Sequence, residues 1–130
     1  MMDVVIVAAK RTPQGRFMGA LSKLTAVDLA VAAGKAALAN IGAEHVSQVV
    51  VGNVLGAGQG QSMARQVGVK CGVPLHAPAY TVNMMCASGL QAVALAAQAV
   101  RSGEADVVLC GGAESMTNAP YLLPEARAGV

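Results

Sequence analysis

The chain has 130 residues, of which 55% are hydrophobic and 2% aromatic, so its core must be built from small side chains packed closely together. Its nine Lys and Arg and seven Asp and Glu give a net charge of +2 and are scattered along the sequence, which gives nucleic-acid binding little electrostatic support. No apolar run reaches the roughly 20 residues that a membrane-spanning helix needs, and the first apolar run follows no basic export signal. We therefore expect a cytoplasmic protein that binds neither nucleic acid nor membrane.

The first two predicted elements are a strand and a helix. Residues 4–9 form a continuous run rich in β-branched side chains, which predicts a strand buried on both faces. Residues 25–40 carry apolar side chains at helical spacing. Thr25 and Asp28 have the types and spacing of a capping box, and Gly42 follows the end of the helix.

The middle of the chain predicts a second strand, a short helix and a third strand. The strands are expected at residues 46–55 and Ala79–Val82, and the helix at Met63–Cys71. Glycine-rich residues 56–61 lack both the G-x-G-x-x-G spacing and the Lys-Ser/Thr ending of phosphate-binding loops. We favour a tight turn over nucleotide binding.

The last predicted elements are a helix over residues 86–102 and a strand over residues 107–110. The helix is apolar around most of its circumference, which predicts burial inside the protein, and Gly103 ends it. Strands and helices alternate along the chain, so the sequence predicts an α/β fold with a mostly parallel sheet and a buried central helix.

The three cysteines are an odd number without C-x-x-C spacing, and we expect reduced thiols. Cys71 lies late in a predicted helix and Cys110 at the end of a predicted strand, where each is expected to be a small apolar core residue. His45 and His76 stand alone in connecting segments. We therefore expect no metal site, and nothing in the sequence places either histidine beside Cys86.

Cys86 is the candidate catalytic residue because it falls where a strand leads into a helix. Unpaired N–H groups and the positive end of the helix dipole favour thiolate over thiol at this position. The same N–H groups could stabilise the oxyanion of a tetrahedral intermediate, and the small residues Ala87 and Gly89 leave room for an acyl group. From these residues alone, the alternative that Cys86 is a small buried apolar residue stays open.

Five segments in sequence order resemble the thiolase family. They are residues 7–19 (VAAKRTPQGRFMG), 52–55 (GNVL), 64–66 (ARQ), 82–92 (VNMMCASGLQA) and 111–120 (GGAESMTNAP). The resemblance implies a thiolase-like layered fold in which residues 1–118 form an incomplete amino-terminal half-domain and residues 119–130 begin a loop-domain excursion. Ser62 replaces the family's usual Asn at a helix start and remains a competent cap.

The same resemblance implies an acyltransferase that moves an acyl group between acyl-CoA molecules through a Cys86 acyl-thioester, making or cleaving 3-ketoacyl-CoA. Cys86 would be the nucleophile and would also offer its backbone N–H to the oxyanion. The family also implies a homodimer or homotetramer and no cofactor beyond coenzyme A thioesters as substrates. Ketoacyl synthases, which also carry a Cys at a helix start, are a weaker match.

Several functional segments of the family do not occur in these 130 residues. They are the Gly-His-Pro segment whose His activates the nucleophile, a second Cys that acts as acid and base, and most of the region that binds coenzyme A. We therefore assign no CoA-binding residue and expect a chain with little turnover alone. A non-catalytic fragment that associates with itself is the alternative.

Overall fold

A computed structural model describes residues 3–129 of the chain. Within this range three strands, β1 (Gln48–Gly52), β2 (Ala79–Val82) and β3 (Val108–Gly112), form a parallel sheet in the order β2-β1-β3. The α-helices are α1 (Ala26–Leu38), α2 (Met63–Cys71) and α3 (Ser88–Ser102), and 3-10 helices occupy Ala43–His45, Met116–Asn118 and Pro124–Ala128. The predicted alternation of strands and helices is confirmed. None of the helices described is both long and apolar enough to cross a membrane.

The central strand β1 is buried along its whole length and separates two layers of helix. Successive side chains of a strand point to opposite faces. Val49 and Val51 belong to the apolar cluster formed with α1 and α2, while Val50 is equally buried outside that cluster, on the face where α3 packs against β1. The sheet therefore lies between α1 and α2 on one face and α3 on the other.

The start of α1 has the predicted capping box. The Asp28 N–H donates to the Thr25 hydroxyl oxygen at 3.1 Å, and the Thr25 N–H donates to the Asp28 carboxylate at 3.0 Å. The Thr25 hydroxyl also donates to the Asp28 carboxylate at 2.7 Å. This hydrogen bond first, and the one from the Thr25 backbone N–H second, hold the pKa of the Asp28 carboxyl below its usual value. Two free N–H groups at the helix start are thereby satisfied.

The short helix α2 has the predicted bounds, and two hydroxyls cap it. The Ser62 side chain accepts from the Arg65 N–H at 3.3 Å, so Ser62 is the cap expected from the sequence. The Thr81 side chain of β2 accepts from the Ala64 N–H at 3.0 Å. This second cap fixes the start of α2 to the edge of the sheet.

The prediction of a buried strand over residues 4–9 is wrong for the described part of the chain. The segment pairs with none of the three strands, and Val5, Ile6 and Val7 are each more than two-thirds exposed. A β-branched run favours extended backbone, but a strand also needs a hydrogen-bonded neighbour. Here Ile6 and Leu109 of β3 instead line a common cavity of about 250 Å³.

The helix α3 is less buried than its composition predicts. It begins at Ser88, two residues later than expected, and ends at Ser102 with Gly103 as its C-cap, as expected. Its buried side chains lie on one face: Ser88, Ala92, Ala96 and Ala99. Leu90 is 75% exposed, so among residues 3–129 the prediction of a helix buried around its circumference is wrong. Its apolar surface exceeds what β1 and β3 cover.

Candidate active site

Cys86 lies at the carboxyl edge of the sheet, between the end of β2 at Val82 and the start of α3 at Ser88. Because all three strands are parallel, Gly52 and Gly112, the last residues of β1 and β3, end at this same edge. The Cys86 side chain is exposed, unlike that of an apolar core residue. The structure thus places the predicted nucleophile where an incoming molecule can reach its sulfur.

The backbone before Cys86 makes a tight turn. Met85 has a left-handed conformation with φ of 51°, which is uncommon for a residue with a side chain. The Ala87 N–H donates to the Met84 carbonyl at 3.1 Å, and the Ser88 N–H to the Met85 carbonyl at 3.1 Å. The Cys86 N–H makes no hydrogen bond to any group of residues 3–129. It is the donor in this turn that can bind an oxyanion.

Three glycines let the start of α3 touch the sheet backbone. A Cβ atom on Gly52 would lie 2.4 Å from the Ser88 carbonyl carbon, and one on Gly112 would lie 2.9 Å from the Gly89 Cα. Real Cβ atoms do not approach other atoms so closely, so both strand ends require glycine. The contact fixes the height of α3, and with it Cys86, above the edge of the sheet.

Glu114 ties together the loops that follow β1 and β3. Its carboxylate accepts from the Asn53 side-chain amide at 2.8 Å, from the Val54 N–H at 3.0 Å and from the Leu55 N–H at 2.8 Å. Asn53 is 5% exposed and also donates to the Ala113 carbonyl at 3.1 Å. Sequence reasoning gave Glu114 and Asn53 no role, although both lie in segments that resemble thiolases.

Neither histidine is near Cys86. His45 lies three residues before the start of β1, and His76 lies three residues before the start of β2. Both are therefore at the amino edge of the parallel sheet. Each strand residue advances the backbone by about 3.3 Å, so the length of the sheet separates them from Cys86. The His45 side chain is 65% exposed and lies 3.6 Å from the Glu44 carboxylate. A Cys-His pair is therefore not formed by these residues.

The other two cysteines have the surroundings expected of core residues. Burial raises the pKa of the Cys71 thiol and of the Cys110 thiol above the ordinary value, because the charged thiolate loses solvent there. For Cys71 the nearby charge of Lys35 opposes this shift without reversing it. Both thiols are poor nucleophiles in these positions.

The glycine-rich loop is a turn held by side chains. Gly58 and Gly60 have φ of 74° and 80°, and the Gln66 side-chain amide donates to the carbonyls of Gln59 and Gln61 at 2.7 and 3.0 Å. These two hydrogen bonds to backbone carbonyls hold the loop in a compact shape, which agrees with the tight turn that the sequence favours. Separately, no group of three or more His, Cys, Asp or Glu among residues 3–129 is arranged to hold a metal ion.

A cavity of about 580 Å³ opens beside the Glu114 loop rather than at Cys86. Its lining combines the basic residues Lys10, Arg11 and Arg16 with the loop after β3. The chemistry that the geometry supports remains at Cys86, which lies at the carboxyl edge of the sheet with an exposed side chain and an unpaired N–H.

A layered α/β fold with an exposed cysteine between a strand end and a helix start defines a class of proteins suited to covalent catalysis. The family model for "Thiolase, N-terminal domain" matches residues 4–130. The chain belongs to the thiolase family.

Relatives and solved structures agree with this assignment. The chain is 50% identical to the acetyl-CoA acetyltransferase of Cupriavidus necator over 99% of this chain and 33% of that protein, and 49% identical to the Saccharomyces cerevisiae acetyl-CoA acetyltransferase over 98% and 33%. The crystal structure of human mitochondrial 3-ketoacyl-CoA thiolase in complex with CoA superimposes with a TM-score of 0.91 at 44% identity, over 95% of this chain and 32% of that one. The Acat5 thiolase from Ascaris suum gives a TM-score of 0.89 at 36% identity, over 95% and 34%. The chain thus spans about one third of the length of the curated relatives it matches.

Proposed function

We propose that the whole protein transfers an acyl group between two acyl-CoA molecules, with Cys86 as the residue that carries the group. The observation that supports this most directly is the exposed Cys86 sulfur in the turn before α3, beside its own unpaired N–H. Similarity to acetyl-CoA acetyltransferases over nearly the whole chain supports the same reaction.

In the first half of the reaction the Cys86 thiolate attacks the carbonyl carbon of an acyl-CoA thioester. The tetrahedral oxyanion accepts a hydrogen bond from the Cys86 N–H, which acts where negative charge develops. The bond from the carbonyl carbon to the coenzyme A sulfur then breaks. Coenzyme A leaves as a thiol, taking the proton that the Cys86 thiol gave up on activation, and the acyl group stays on Cys86 as a thioester.

In the second half, a second acyl-CoA loses its α-proton to a base, and the resulting carbanion attacks the Cys86 thioester. The Cys86 thiolate leaves and 3-ketoacyl-CoA forms. In the cleavage direction the Cys86 thiolate attacks the 3-keto carbonyl carbon, the bond between C2 and C3 breaks, and the acyl-CoA carbanion takes up a proton. Coenzyme A then takes the acyl group from Cys86. His45 and His76 lie at the far edge of the sheet, so neither supplies this base nor activates Cys86. We propose that a histidine and a second cysteine outside residues 1–130 do so, and that the chain alone turns over little substrate.

The decisive experiment exposes the whole protein briefly to acetyl-CoA and measures its intact mass, with peptide mapping of the modified site. We expect one added acetyl group on Cys86. The Cys86→Ala variant should lose both this adduct and acetoacetyl-CoA formation, whereas the matched Cys110→Ala variant should keep both. Acetylation of Cys110 or Cys71 in place of Cys86, or full turnover by the Cys86→Ala variant, would refute the proposal.

We further propose that the reaction uses no cofactor beyond its coenzyme A thioester substrates, and that the protein works as a cytoplasmic homodimer or homotetramer. Three cysteines without a disulfide, all within the described residues, suit a reducing compartment. Exposed apolar side chains such as Val5, Ile6 and Leu90 favour association with further protein surface.

The second candidate function is a non-catalytic fragment that associates with itself. The exposed apolar segment 4–9 is the observation that favours it, because such a segment seeks a partner whether or not Cys86 reacts. Size-exclusion chromatography of the wild type and the Cys86→Ala variant, together with the acetylation assay, separates the two functions. An associating protein that never acetylates Cys86 would support the fragment.

A further inference from the structure

The side chains of Ser88 and Asn83 hold the turn that carries Cys86. The Ser88 hydroxyl donates to the Met85 carbonyl at 2.6 Å and accepts from the Met84 N–H at 2.8 Å. The Asn83 side-chain oxygen accepts from the Met85 N–H at 3.0 Å. Together they satisfy both backbone groups of Met85 and the N–H of Met84.

The turn needs such support because Met85 is left-handed. A residue with a side chain keeps this conformation only where its surroundings hold it there. Without the hydroxyl of Ser88, the Met85 backbone would relax toward an ordinary conformation. Such a rotation would redirect the next residue, Cys86, and separate its sulfur and N–H from a common target.

Ser88 is itself fixed to the sheet. It is 5% exposed, and its carbonyl carbon lies against Gly52 so closely that a Cβ there would be 2.4 Å away. The serine therefore joins a rigid element, the end of β1, to the strained turn. Its hydroxyl faces Met84 and Met85 and leaves the sulfur of Cys86 free for the acyl group.

We propose that Ser88, assisted by Asn83, is a positioning residue for acyl transfer. Its hydroxyl keeps Met85 left-handed, so that the Cys86 sulfur attacks the thioester while the Cys86 N–H receives the oxyanion. This role rests on the proposed function of Cys86. The Ser88 hydroxyl is the additional group that aligns the sulfur and the N–H of Cys86.

The test compares two reactions of Cys86 in the whole protein. Alkylation by iodoacetamide requires only an accessible sulfur, whereas acetylation by acetyl-CoA requires the sulfur and the N–H to be aligned. We expect Ser88→Ala to slow acetylation of Cys86 by on the order of tenfold to a hundredfold, as for a small misplacement of a reacting group, with alkylation affected much less. The KM for acetyl-CoA should change little beside kcat.

The matched control is Ser102→Ala, which removes a hydroxyl that donates to the Ala99 carbonyl at the other end of α3. Both reactions should keep wild-type rates in this variant. Asn83→Ala should slow acetylation in the same direction as Ser88→Ala, and it carries the test if Ser88→Ala does not fold. Because both side chains hold Met85, the effects of the two substitutions should not add.

The outcomes separate the two proposals. A folded Ser88→Ala protein, or where that does not fold an Asn83→Ala protein, that acetylates Cys86 at the wild-type rate would overturn the positioning role alone. Acetylation and alkylation slowed by the same factor would also overturn it, since that result indicates a general structural effect. If the wild type never acetylates Cys86, the proposed function falls and the positioning role falls with it.

Discussion

At the scale of single residues, the absence of side chains at the strand ends decides how closely α3 approaches the sheet. Gly52 and Gly112 face the backbone of Ser88 and Gly89, which cannot move aside as a flexible side chain can. The position of Cys86 depends on this contact, because α3 begins two residues after it.

The Gly52→Ala substitution should therefore destabilise the protein by about 1–3 kcal/mol, the usual cost of inserting a methyl group into a filled space. It should also slow acetylation of Cys86 by displacing α3. The matched control is Gly56→Ala, whose new Cβ would meet only the Asn53 side chain at 3.5 Å. Urea unfolding of both variants measures the effect, and equal midpoints for the two would contradict it.

The role of Gly89 was accessible from the sequence, and that of Gly52 was not. A glycine near the start of a helix, such as Gly89, predicts close packing against other backbone, but the sequence does not say which backbone. For Gly52 the sequence predicts only that it belongs to a strand. Its partner Ser88 lies far along the chain, and the contact exists only once the parallel pairing has formed.

Ser88, Asn53 and Glu114 were missed for a related reason. Polar residues next to strand ends or at helix starts predict turns and caps, and their types do not reveal whether they bind a backbone group, a neighbour or a substrate. The identity of Cys86 as a candidate nucleophile was predictable because a single local feature, a cysteine at a helix start, carries the chemistry.

At the scale of elements, α1 and α2 form close to their expected bounds because capping signals mark their starts, whereas α3, which has no side-chain cap, begins two residues later than expected. The Thr25 and Asp28 pair and the Ser62 cap are local features that need no tertiary contact. The strand predicted at residues 4–9 has no comparable local signal, because strand formation requires a neighbouring strand. An apolar run shows a preference for burial, while pairing depends on a neighbour elsewhere in the chain.

The capping box of α1 makes stability depend on pH in a definite direction. The pKa of the Asp28 carboxyl is lower in the folded protein than its ordinary value of 3.8, so its contribution to stability is fully present above pH 3.8 and is lost as the pH falls through the folded pKa. Asp28→Asn should destabilise the protein at neutral pH by about 0.5 kcal/mol. The difference from wild type should shrink in acid.

Urea unfolding of wild type and Asp28→Asn at several pH values measures this dependence. Asp106→Asn is the control, because Asp106 is exposed and lies outside any helix. A difference between wild type and Asp28→Asn that stays constant from neutral to acidic pH would show that the charge of Asp28 is unimportant.

The loops after β1 and β3 depend on Glu114. Glu114→Ala leaves the half-buried N–H groups of Val54 and Leu55 without their acceptor, which should cost about 1–3 kcal/mol. Hydrogen exchange at these two amides should accelerate more than at the amides inside β1. Glu104→Ala, at an exposed residue after α3, is the control. Unchanged exchange at Val54 and Leu55 would mean that solvent replaces the carboxylate without loss.

At the scale of the whole molecule, the sheet and helices formed by the described residues leave apolar side chains exposed to solvent. Val5, Ile6 and Val7 are exposed on the segment beside β3, and Leu90 is exposed on α3. Apolar surface of this extent favours association with another protein surface.

The 130-residue chain should therefore self-associate in a concentration-dependent manner. Ile6→Lys should weaken this association by about tenfold or more, since burying one such side chain contributes about 1.5–3 kcal/mol. Leu75→Lys, at an equally exposed residue before β2, should leave the association unchanged. Light scattering across a dilution series measures the effect. A chain that stays monomeric at high concentration, or equal effects of the two substitutions, would contradict the prediction.

The parallel sheet also sets an order of events during synthesis. The ribosome releases β1 before both of its neighbours, and Val49 must wait first for Ala79 and then for Leu109. Pairing over such separations is slow, because each closure restricts a long stretch of chain before any contact forms. The most buried strand of the sheet is therefore the one that spends longest without neighbours. In a nascent chain, β1, the strand that becomes the centre of the sheet, is thus the first strand that a chaperone could bind.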